Sequence, residues 1–456
     1  MIKSIYRIEF SLASGLSVGS GWGIQTDNDV IKRTDGKPFI PGTSLAGVYR
    51  NIVSHKHSKV EVDNFFGNVS INKGDLYDSI NSVTSKILVY DADVYGDCYG
   101  ISIRDSVSLD DGKVSIDGAK YDFEVVNAGT KFVTYFEVNS CEKNIEEDKK
   151  YINEIINAFH NENIMIGGKT TRGLGNIKNS IVKEMIFYLP DDVDKWIEFD
   201  MYDDNKWETL KEYKGDNRQD SSIIKIHLSL KQSGGILIRQ YSGKPGDVCS
   251  RQLENYDPDK KEFIPIIPGT SWAGAFRHRA KEFAAVTDNG EKIINELFGN
   301  CDKDGGKKKS NIYFSESYIK YYTRMNTTRN AVDRFTGGTI NGALYTESVV
   351  FDGDTTLDIL LPKDTEQLTI NIIAAVIADL QEGFLAVGGE NSIGRGIFKI
   401  TGISINKKNI IDSDKNKFDI PGDELFQRII DEIKEYRGQD TNIGGNNRWR
   451  IVSIVN

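Results

Sequence analysis

Cysteine and histidine are scarce in this sequence, with four cysteines and five histidines among 456 residues. The cysteines lie far apart and form no Cys-x-x-Cys pair, which argues against a zinc site and against a disulfide framework. His55 and His57 are close neighbours but have no matching cysteines. We therefore expect reduced, structural thiols.

Long hydrophobic runs are also missing, because no apolar stretch approaches the roughly 20 residues that a helix needs to cross a bilayer. The first ten residues carry Lys3, Arg7 and Glu9 inside their apolar stretch. This pattern is typical of an alternating strand that opens a fold and argues against a signal peptide. We expect a cytoplasmic protein with no membrane partner.

Basic residues are in the minority, since 57 lysines and arginines stand against 67 aspartates and glutamates and give a net charge of −10. This balance is adverse for a nucleic-acid binder, because phosphate neutralisation requires basic surface. The acidic excess falls in residues 1–220, whereas 221–456 are close to neutral. A locally basic groove therefore remains compatible with the total charge.

Four motifs occur twice, in the same order and at nearly equal spacing. They are PFIPGTSLAG at 38–47 and PIIPGTSWAG at 265–274, FFGN at 65–68 and LFGN at 297–300, DGAKY at 117–121 and NGALY at 341–345, and IGGKTTRGLG at 166–175 and VGGENSIGRG at 387–396. The chain length also predicts two or three domains. We predict a first module at 1–190, a polar linker at 191–221, and a second module at 222–456 that includes a C-terminal extension.

Each half reads as strand, Gly-rich loop, helix, hairpin, helix and strand. Apolar residues from Leu45 to Ile52 are spaced i, i+3, i+4 and i+7, which predicts a helix with Thr43 or Ser44 as its N-cap. The same spacing at 151–159 and 370–385 predicts a second helix in each half. This order indicates an α+β fold, namely tandem ferredoxin-like (RRM-like) domains with inserted hairpins or loops.

Two polar, glycine-containing segments, 104–118 and 329–342, occupy equivalent places in the two halves. Each is either a protruding hairpin or an ordinary surface loop.

The Pro-Gly-Thr-Ser elements place Ser44 and Ser271 at helix starts, where free backbone amides can bind phosphate. The alternative is a capped turn that packs the helix on the sheet. The late Gly-rich segments allow a ligand to approach the backbone closely, but Asn163 stands where a mononucleotide-binding P-loop requires glycine. The candidate RNA contacts are Lys32, Ser44, Arg50, Gly168, Lys169, Arg172, Ser271, Arg277, Arg329, Gly389 and Arg395.

For catalysis the sequence offers carboxylates. Asp27 and Asp29 lie in a polar loop before the first Pro-Gly-Thr-Ser element, and Asp247 lies in the corresponding loop of the second half. A carboxylate beside bound RNA can hold Mg²⁺ or position a 2′-hydroxyl for attack on the adjacent phosphate. A solvated loop aspartate is the alternative interpretation.

The paired Pro-Gly-Thr-Ser helix start and the late Gly-Gly-x-x-x-x-Gly-x-Gly loop resemble the RAMP superfamily of CRISPR-associated proteins. The similarity is greatest to the backbone subunits of type III effector complexes, here as a fusion of two. It covers most of both halves, whereas the linker and residues 407–456 match nothing in that family.

The resemblance implies subunits that line up along a guide RNA and insert a hairpin thumb that displaces one base pair per subunit. It also implies that they cut complementary target RNA at regular intervals with a loop aspartate and a metal. Residues 27–32 look like that active-site loop, so the catalytic role is assigned to Asp27, with Asp29 as a nearby substitute. Asp247 is the candidate in the second half, and Asp257 and Asp259 remain alternatives. Mg²⁺ or Mn²⁺ is the expected cofactor, with Asp27 and Asp247 as its ligands.

Three hypotheses follow from this resemblance. The first is a tandem backbone subunit that binds guide RNA and other effector-complex subunits and cleaves target single-stranded RNA by metal-dependent 2′-hydroxyl attack. The second is a structural guide-RNA-binding subunit without catalysis. The third is a guide-processing endonuclease, an enzyme type that usually has a histidine in an N-terminal helix, for which this chain offers only His55 and His57.

Overall fold

The computed structural model describes residues 1–21, 23–72, 79–109, 115–216, 222–241, 248–258, 260–301, 307–411 and 420–438. Within these ranges, no helix is long and apolar enough to cross a membrane. Cys98, Cys141 and Cys249 are free thiols. All three are exposed, which differs from the expectation of structural thiols.

The described elements before residue 217 are ten strands and five α-helices. The strands are β1 (Ile2–Leu12), β2 (Phe39–Ile40), β3 (Asn68–Asn72), β4 (Ser79–Val83), β5 (Ile87–Val89), β6 (Ala92–Val94), β7 (Ile101–Leu109), β8 (Ser115–Val126), β9 (Lys131–Ser140) and β10 (Ile177–Tyr188). The helices are α1 (Gly42–Ser54), α2 (Lys59–Phe66), α3 (Ile145–His160), α4 (Val193–Ile197) and α5 (Asn205–Glu208).

The described elements after residue 221 are fifteen strands and four helices. The strands are β11 (Ile223–Ser233), β12 (Gly235–Ile236), β13 (Arg239–Tyr241), β14 (Ser250–Gln252), β15 (Glu254–Asp257), β16 (Glu262–Ile267), β17 (Asn300–Cys301), β18 (Lys307–Lys308), β19 (Tyr313–Phe314), β20 (Ser317–Tyr318), β21 (Thr323–Val332), β22 (Thr339–Phe351), β23 (Asp354–Pro362), β24 (Ile397–Ile405) and β25 (Lys408–Ile411). The helices are α6 (Gly269–Ala284), α7 (Gly290–Phe298), α8 (Gln367–Glu382) and α9 (Gly422–Gly438).

The two main sheets have the same antiparallel topology. The first has the order β10-β1-β9-β6-β2, with β5 also paired to β9, and the second has the order β19-β23-β11-β24-β25. The opening strand β1 lies between β10 and β9 in the first sheet, and β11 lies between β24 and β23 in the second. This is the ferredoxin-like arrangement. Helices α1 and α3 pack together in the first module, as do α6 and α8 in the second. The predicted α+β fold with tandem ferredoxin-like domains is confirmed.

Two helix ends differ from the prediction. Helix α1 begins at Gly42, so Pro41 is its N-cap residue, and the prediction of Thr43 or Ser44 is wrong because both lie inside the first turn. Asp91, from the β5–β6 corner, accepts the hydrogen bond of the Gly42 amide at 2.7 Å. Helix α8 ends at Glu382, three residues earlier than predicted, because Gly383 takes a left-handed conformation.

The described residues of both glycine-containing polar segments belong to hairpins, the first of the two alternatives. Strands β7 and β8 pair from Ile101 and Val126 outward, and β21 and β22 pair from Thr323 and Phe351 outward. Exposed apolar side chains lie along both hairpins, for example Val107, which is 47% exposed.

The described part of the predicted linker packs on the first module. Trp207 of α5 is fully buried and lies against Tyr135, and the amide of Tyr213 donates to the carbonyl oxygen of Val182 at 2.7 Å. Tyr135 and Ile5 face away from α1 and α3, because side chains alternate along their strands. Residues 191–216 therefore cover part of the sheet face opposite the helices.

The first module docks on the second through its Gly-rich segment and the base of its hairpin. A Cβ on Gly173 would lie 2.9 Å from the carbonyl oxygen of Phe314, and one on Gly269 would lie 2.7 Å from that of Arg172. Arg104 of β7 and Glu316 form a bidentate ion pair, with Nη2 of Arg104 at 3.1 Å from Oε1 of Glu316. Both side chains are at least nine-tenths buried.

Candidate functional site

Strand β8 separates two groups of candidate residues at the base of the first hairpin. Its side chains alternate, so Tyr121 and Phe123 contact the Gly-rich segment at 166–175, and Asp122 and Glu124 contact the polar loop that contains Asp27. The cations of the Gly-rich segment and the carboxylates of the loop therefore lie on opposite faces of this strand.

Asp27 is positioned by a reciprocal pair of hydrogen bonds with β8. Its backbone amide donates to Oδ1 of Asp122 at 2.9 Å, and the amide of Asp122 donates to Oδ2 of Asp27 at 3.0 Å. Each carboxylate thus uses one oxygen in this contact, and the second oxygen of each is not part of it. Asp27 is exposed, so its carboxylate is accessible to a ligand.

Asp29 organises the loop and is engaged by four donors. Its carboxylate accepts hydrogen bonds from the amides of Ile24, Gln25 and Thr26 and from the Thr26 hydroxyl, at 2.6 to 3.2 Å. The Ile24 amide and then the Thr26 hydroxyl hold the pKa of Asp29 well below its usual range. The structure therefore gives Asp29 a role in holding the loop, which distinguishes it from Asp27.

The carboxylates of Asp27 and Asp122 form a small donor set for a metal ion. Among the residues that the structure describes, no group of three or more histidine, cysteine, aspartate or glutamate side chains could hold a metal ion. Mg²⁺, however, is commonly bound by one or two carboxylates together with waters and substrate phosphate oxygens. Asp27 and Asp122 fit that mode, so these two residues would hold the ion with the help of RNA.

Lys32 belongs to the same loop but is already paired. Its Nζ lies 2.8 Å from Oε2 of Glu124, and Glu124 also accepts a hydrogen bond from the Val30 amide at 3.0 Å. Glu124 is buried, whereas the Lys32 side chain is 31% exposed. The pair fixes the loop to β8 and leaves Lys32 only partly accessible.

Lys169 and Arg172 lie on the other face of β8, against aromatic rings. Lys169 Nζ is 3.3 Å from the ring centre of Phe123 and 5.0 Å from that of Tyr121, and Arg172 Nη1 lies 3.2 Å from the Tyr121 hydroxyl. Burial, and then the nearby Arg172, lowers the pKa of Lys169 to about 8. Neither cation is paired with a carboxylate within the described ranges, so both can bind phosphate.

Gly168 and Gly389 of the Gly-rich segments make backbone hydrogen bonds within the fold. The amide of Gly168 donates to the carbonyl oxygen of Ser17 at 2.7 Å, and that of Gly389 donates to Leu237 at 2.9 Å. These amides are therefore already engaged by the chain extensions that follow β1 and β11. The Gly-rich segments therefore offer a ligand their side chains and not the amides of Gly168 and Gly389.

The second module replaces the cation with a carboxylate. Glu390 occupies the position of Lys169, and both residues take a left-handed backbone conformation. Glu390 pairs with Arg239 at 2.9 Å, with Arg329 at 3.2 Å, and also with Arg395. Glu390 is thus paired with three arginines. Arg329 and Arg395 are predicted RNA contacts, and Arg239 is a neighbour of both.

Glu347 completes this charged cluster. It lies 3.2 Å from both Arg239 and Arg395, and the Arg395 side chain is only 5% exposed. Burial would raise the pKa of Glu347, but hydrogen bonds from Arg239 and Arg395 outweigh it and hold that pKa below its usual range. Arg395 is therefore neutralised within the module in this conformation.

Arg50 and Arg277 hold equivalent turns. Arg50 donates to the carbonyl oxygen of Gly67 at 2.8 Å and pairs with Asp63, and Arg277 donates to the carbonyl oxygen of Gly299 at 3.1 Å. This contact explains why an arginine and a Phe-Gly-Asn sequence recur together in both halves.

The helix starts that contain Ser44 and Ser271 are partly occupied. Asp91 takes the first amide of α1, and the backbone of Arg172 lies against Gly269 at the start of α6. A carboxylate at the α1 terminus takes the place that a phosphate would need there. Ser44 and Ser271 themselves are half-buried.

Of the second-half candidate aspartates, the structure describes Asp257. Asp247 and Asp259 lie outside the described residues, and Asp257 accepts a hydrogen bond from the Lys260 amide at 3.2 Å. The histidines have structural partners, since His57 lies 3.0 Å from Glu154 and packs edge-on against Tyr151.

Sequence reasoning missed Tyr121, Asp122 and Phe123. Their alternation of aromatic and acidic residues just before a buried Val-Val pair is a signal for two differently used faces of a strand. The partners of these faces come from distant segments, and the sequence alone does not identify them.

A family model described as the RAMP superfamily matches residues 10–178 and 251–399. No curated protein matches the chain at a significant level. The two matched regions fall in the two ferredoxin-like modules and together make up more than half of the chain. The chain therefore belongs to the RAMP superfamily.

Proposed function

We propose that this chain is a tandem backbone subunit of a type III CRISPR RNA-guided effector complex in the cytoplasm, which binds guide RNA and cleaves complementary target single-stranded RNA. One observation carries the proposal. On one face of strand β8, Lys169 lies on an aromatic ring and Arg172 contacts the Tyr121 hydroxyl, and neither is paired with a carboxylate among the described residues. The other face holds an accessible carboxylate pair. Two faces suit two strands, a guide held by the cations and a target reached by the carboxylates.

The binding face supplies charge and stacking surface together. Lys169 and Arg172 would neutralise phosphates, and the neighbouring Tyr121 offers an aromatic surface to a base. The exposed apolar residues along the β7–β8 hairpin would contact bases in the same way. In the second module, Arg395 and Arg329 are paired with Glu390. The equivalent place in that module therefore has a mainly structural role.

Cleavage would proceed by attack of the 2′-oxygen on the adjacent phosphorus. Asp27 would accept the 2′-hydroxyl proton, the bond to the 5′-oxygen would break, and water would protonate that oxygen to leave a 2′,3′-cyclic phosphate and a 5′-hydroxyl. Mg²⁺ held by Asp27 and Asp122 would supply stabilisation of the negative charge on the phosphate oxygens. Asp29 would keep the loop in place through its hydrogen bonds to residues 24–26.

Purification from cells followed by RNA extraction tests the binding proposal. We expect the full chain to carry short RNA of uniform length with co-eluting protein subunits, and we expect the Lys169→Ala/Arg172→Ala double variant to lose most of that RNA. Lys59→Ala/Lys143→Ala is the matched control, because it removes two exposed lysines elsewhere and should retain RNA. A wild-type protein that purifies free of RNA and other subunits would overturn the proposal.

RNA affinity should also depend on pH through Lys169. Because the pKa of Lys169 is lowered to about 8, the side chain is mostly charged at pH 7 and mostly neutral at pH 9. Binding of single-stranded RNA, measured by fluorescence anisotropy, should weaken by up to about tenfold over this interval, the ratio of the charged fractions. Lys169→Arg should remove most of this dependence, because arginine stays charged. Equal pH profiles for the two proteins would contradict the assignment.

A further inference from the structure

The polar loop that precedes α1 has an equivalent in the second module, and backbone contacts fix the register between the two loops. In the first module the amide of Ile31 donates to the carbonyl oxygen of Val18 at 2.9 Å, and in the second the amide of Leu253 donates to that of Ile238 at 2.8 Å. Val18 and Ile238 are equivalent, because each directly follows the residue whose carbonyl oxygen accepts a hydrogen bond from the Gly-rich segment of its module. Ile31 therefore corresponds to Leu253.

The position of the candidate catalytic aspartate follows from this register and from a second contact. Counting back four residues leads to Asp27 in the first module and to Cys249 in the second. The amide of Asp27 donates to the side chain of Asp122, and the amide of Cys249 donates to the carbonyl oxygen of Thr346 at 2.8 Å. Asp122 directly follows the DGAKY motif, and Thr346 directly follows NGALY. Both routes thus give Cys249 the place of Asp27 and Thr346 the place of Asp122.

At these positions, neutral residues replace the carboxylates of the first module. Cys249 is exposed, and its thiol is a soft ligand that does not suit Mg²⁺. The hydroxyls of Thr346 and Thr328 lie 2.9 Å apart across the second hairpin, where the first hairpin pairs Asp122 with the exposed Asp105. Three carboxylates in the first module therefore correspond to one thiol and two hydroxyls in the second.

The residue that holds the first loop in place is replaced as well. Asp29 lies two residues after Asp27, and Arg251 lies two residues after Cys249. A guanidinium has no acceptor atom, so it cannot collect backbone amides as Asp29 collects those of residues 24–26. The replacements in the second module thus affect both the reactive carboxylate and the group that positions its loop.

Two other candidate aspartates of the second module stand at different places. Asp257 faces the first module, because a Cβ on Gly129 would lie 3.6 Å from its Oδ1 atom. Asp247 precedes Cys249 by two residues in the sequence and lies outside the described residues. By register, neither has the position of the carboxylate of the first module.

We propose that only the first module cleaves, so that the chain has two RNA-binding modules but one cleavage centre. This inference rests on the proposed function and adds the number and the position of the cuts. Each bound chain would cut the target once, at the phosphate that reaches Asp27, and the stretch of target on the second module would stay whole. In an assembly with several copies, the interval between cuts would equal the length of target that two modules cover.

Mapping the products of an end-labelled complementary RNA tests this inference in the complex purified from cells. Under single-turnover conditions with Mg²⁺, we expect Asp27→Asn to remove every product and Asp247→Asn to leave every product at its position and rate. Cys249→Ser is the matched control, because it changes an exposed side chain of similar size at the equivalent position, and it should cleave as the wild type does. The guide RNA content of each preparation shows that the variant has assembled.

The contrary outcomes are distinct from one another. Products that survive Asp27→Asn, or products that disappear with Asp247→Asn or Cys249→Ser, would assign a second cleavage centre to the second module and overturn the inference. A wild-type complex that binds target RNA without cutting it would instead overturn the proposed cleavage, and this inference with it.

Restoring the carboxylates provides a test in the opposite direction. The triple variant Cys249→Asp/Arg251→Asp/Thr346→Asp gives the second module the three aspartates that the first one has at the equivalent positions. In an Asp27→Asn background, we expect it to cut the target at a new position, offset by one module, at least about tenfold faster than Asp27→Asn alone. A triple variant that retains guide RNA but yields no new product would contradict the assignment of the lost activity to these positions.

Discussion

Replacing Asp27 by alanine is expected to abolish cleavage of target RNA by the assembled complex while guide RNA stays bound. Asp27 offers an exposed carboxylate next to Asp122, and its loop is held by Asp29 and by the Lys32–Glu124 pair rather than by Asp27 alone. Loss of a group that accepts a proton in the transition state typically lowers a rate by about 10²- to 10⁴-fold. The measurement is the rate of cleavage of a labelled complementary RNA under single-turnover conditions with Mg²⁺.

The controls separate catalysis from folding. Asp27→Asn keeps the shape of the side chain and should be equally inactive, because the amide accepts no proton. Asp97→Ala removes a side chain that is 96% exposed and pairs with Lys37, and it should cleave at the wild-type rate. Full cleavage by Asp27→Ala together with Asp27→Asn would favour the second hypothesis, a structural RNA-binding subunit without catalysis in this loop.

Breaking the Arg104–Glu316 pair should cost more stability than any other single ion-pair change in the described chain. Removing one partner leaves the other charged and buried without compensation, and such a change typically costs about 3–5 kcal/mol. We expect Arg104→Ala and Glu316→Ala each to lower the free energy of unfolding by this order, measured in guanidinium chloride. The unfolding curve should then show a separate transition for each module, because the pair connects the two modules.

An apolar double variant distinguishes the cost of an uncompensated buried charge from simple loss of contacts. Arg104→Met/Glu316→Leu replaces both charges by apolar groups of similar size, and it should recover much of the stability, as buried ion pairs often do on such replacement. Asp97→Ala breaks the exposed Lys37–Asp97 pair and should change stability by less than about 1 kcal/mol. Single variants as stable as the wild type would show that the modules do not depend on this contact.

The recurrence of local patterns made much of the fold predictable. The spacing of Leu45 to Ile52 required a helical face, and the alternation from Ile2 onward required a strand, since these periods follow from backbone geometry within a few residues. The repeated motifs then predicted two modules with the same order of elements, and the two sheets confirm that order. The N-cap was misplaced by two or three residues because the group that binds the first amide, Asp91, comes from the distant β5–β6 corner.

The candidate site was predictable only in part. The resemblance assigned the catalytic role to Asp27 with Asp29 as a nearby substitute, and the folded loop gives the physical difference between them, because the donors around Asp29 converge by turn geometry. It likewise presented Arg395 beside Lys169 as equivalent RNA contacts, whereas Glu347 and Glu390 neutralise Arg395.

The sequence by itself determined the duplication, the ferredoxin-like order of elements and the positions of the Gly-rich segments, because each is encoded in short runs of residues. The tertiary structure decided which charges are paired. Asp27 meets Asp122 across 95 residues, and Arg104 meets Glu316 across 212. Such partners depend on strand register and on docking between modules, which no local pattern specifies. For that reason the number of RNA-binding modules could be read from the sequence, whereas the pairing of their charges could not.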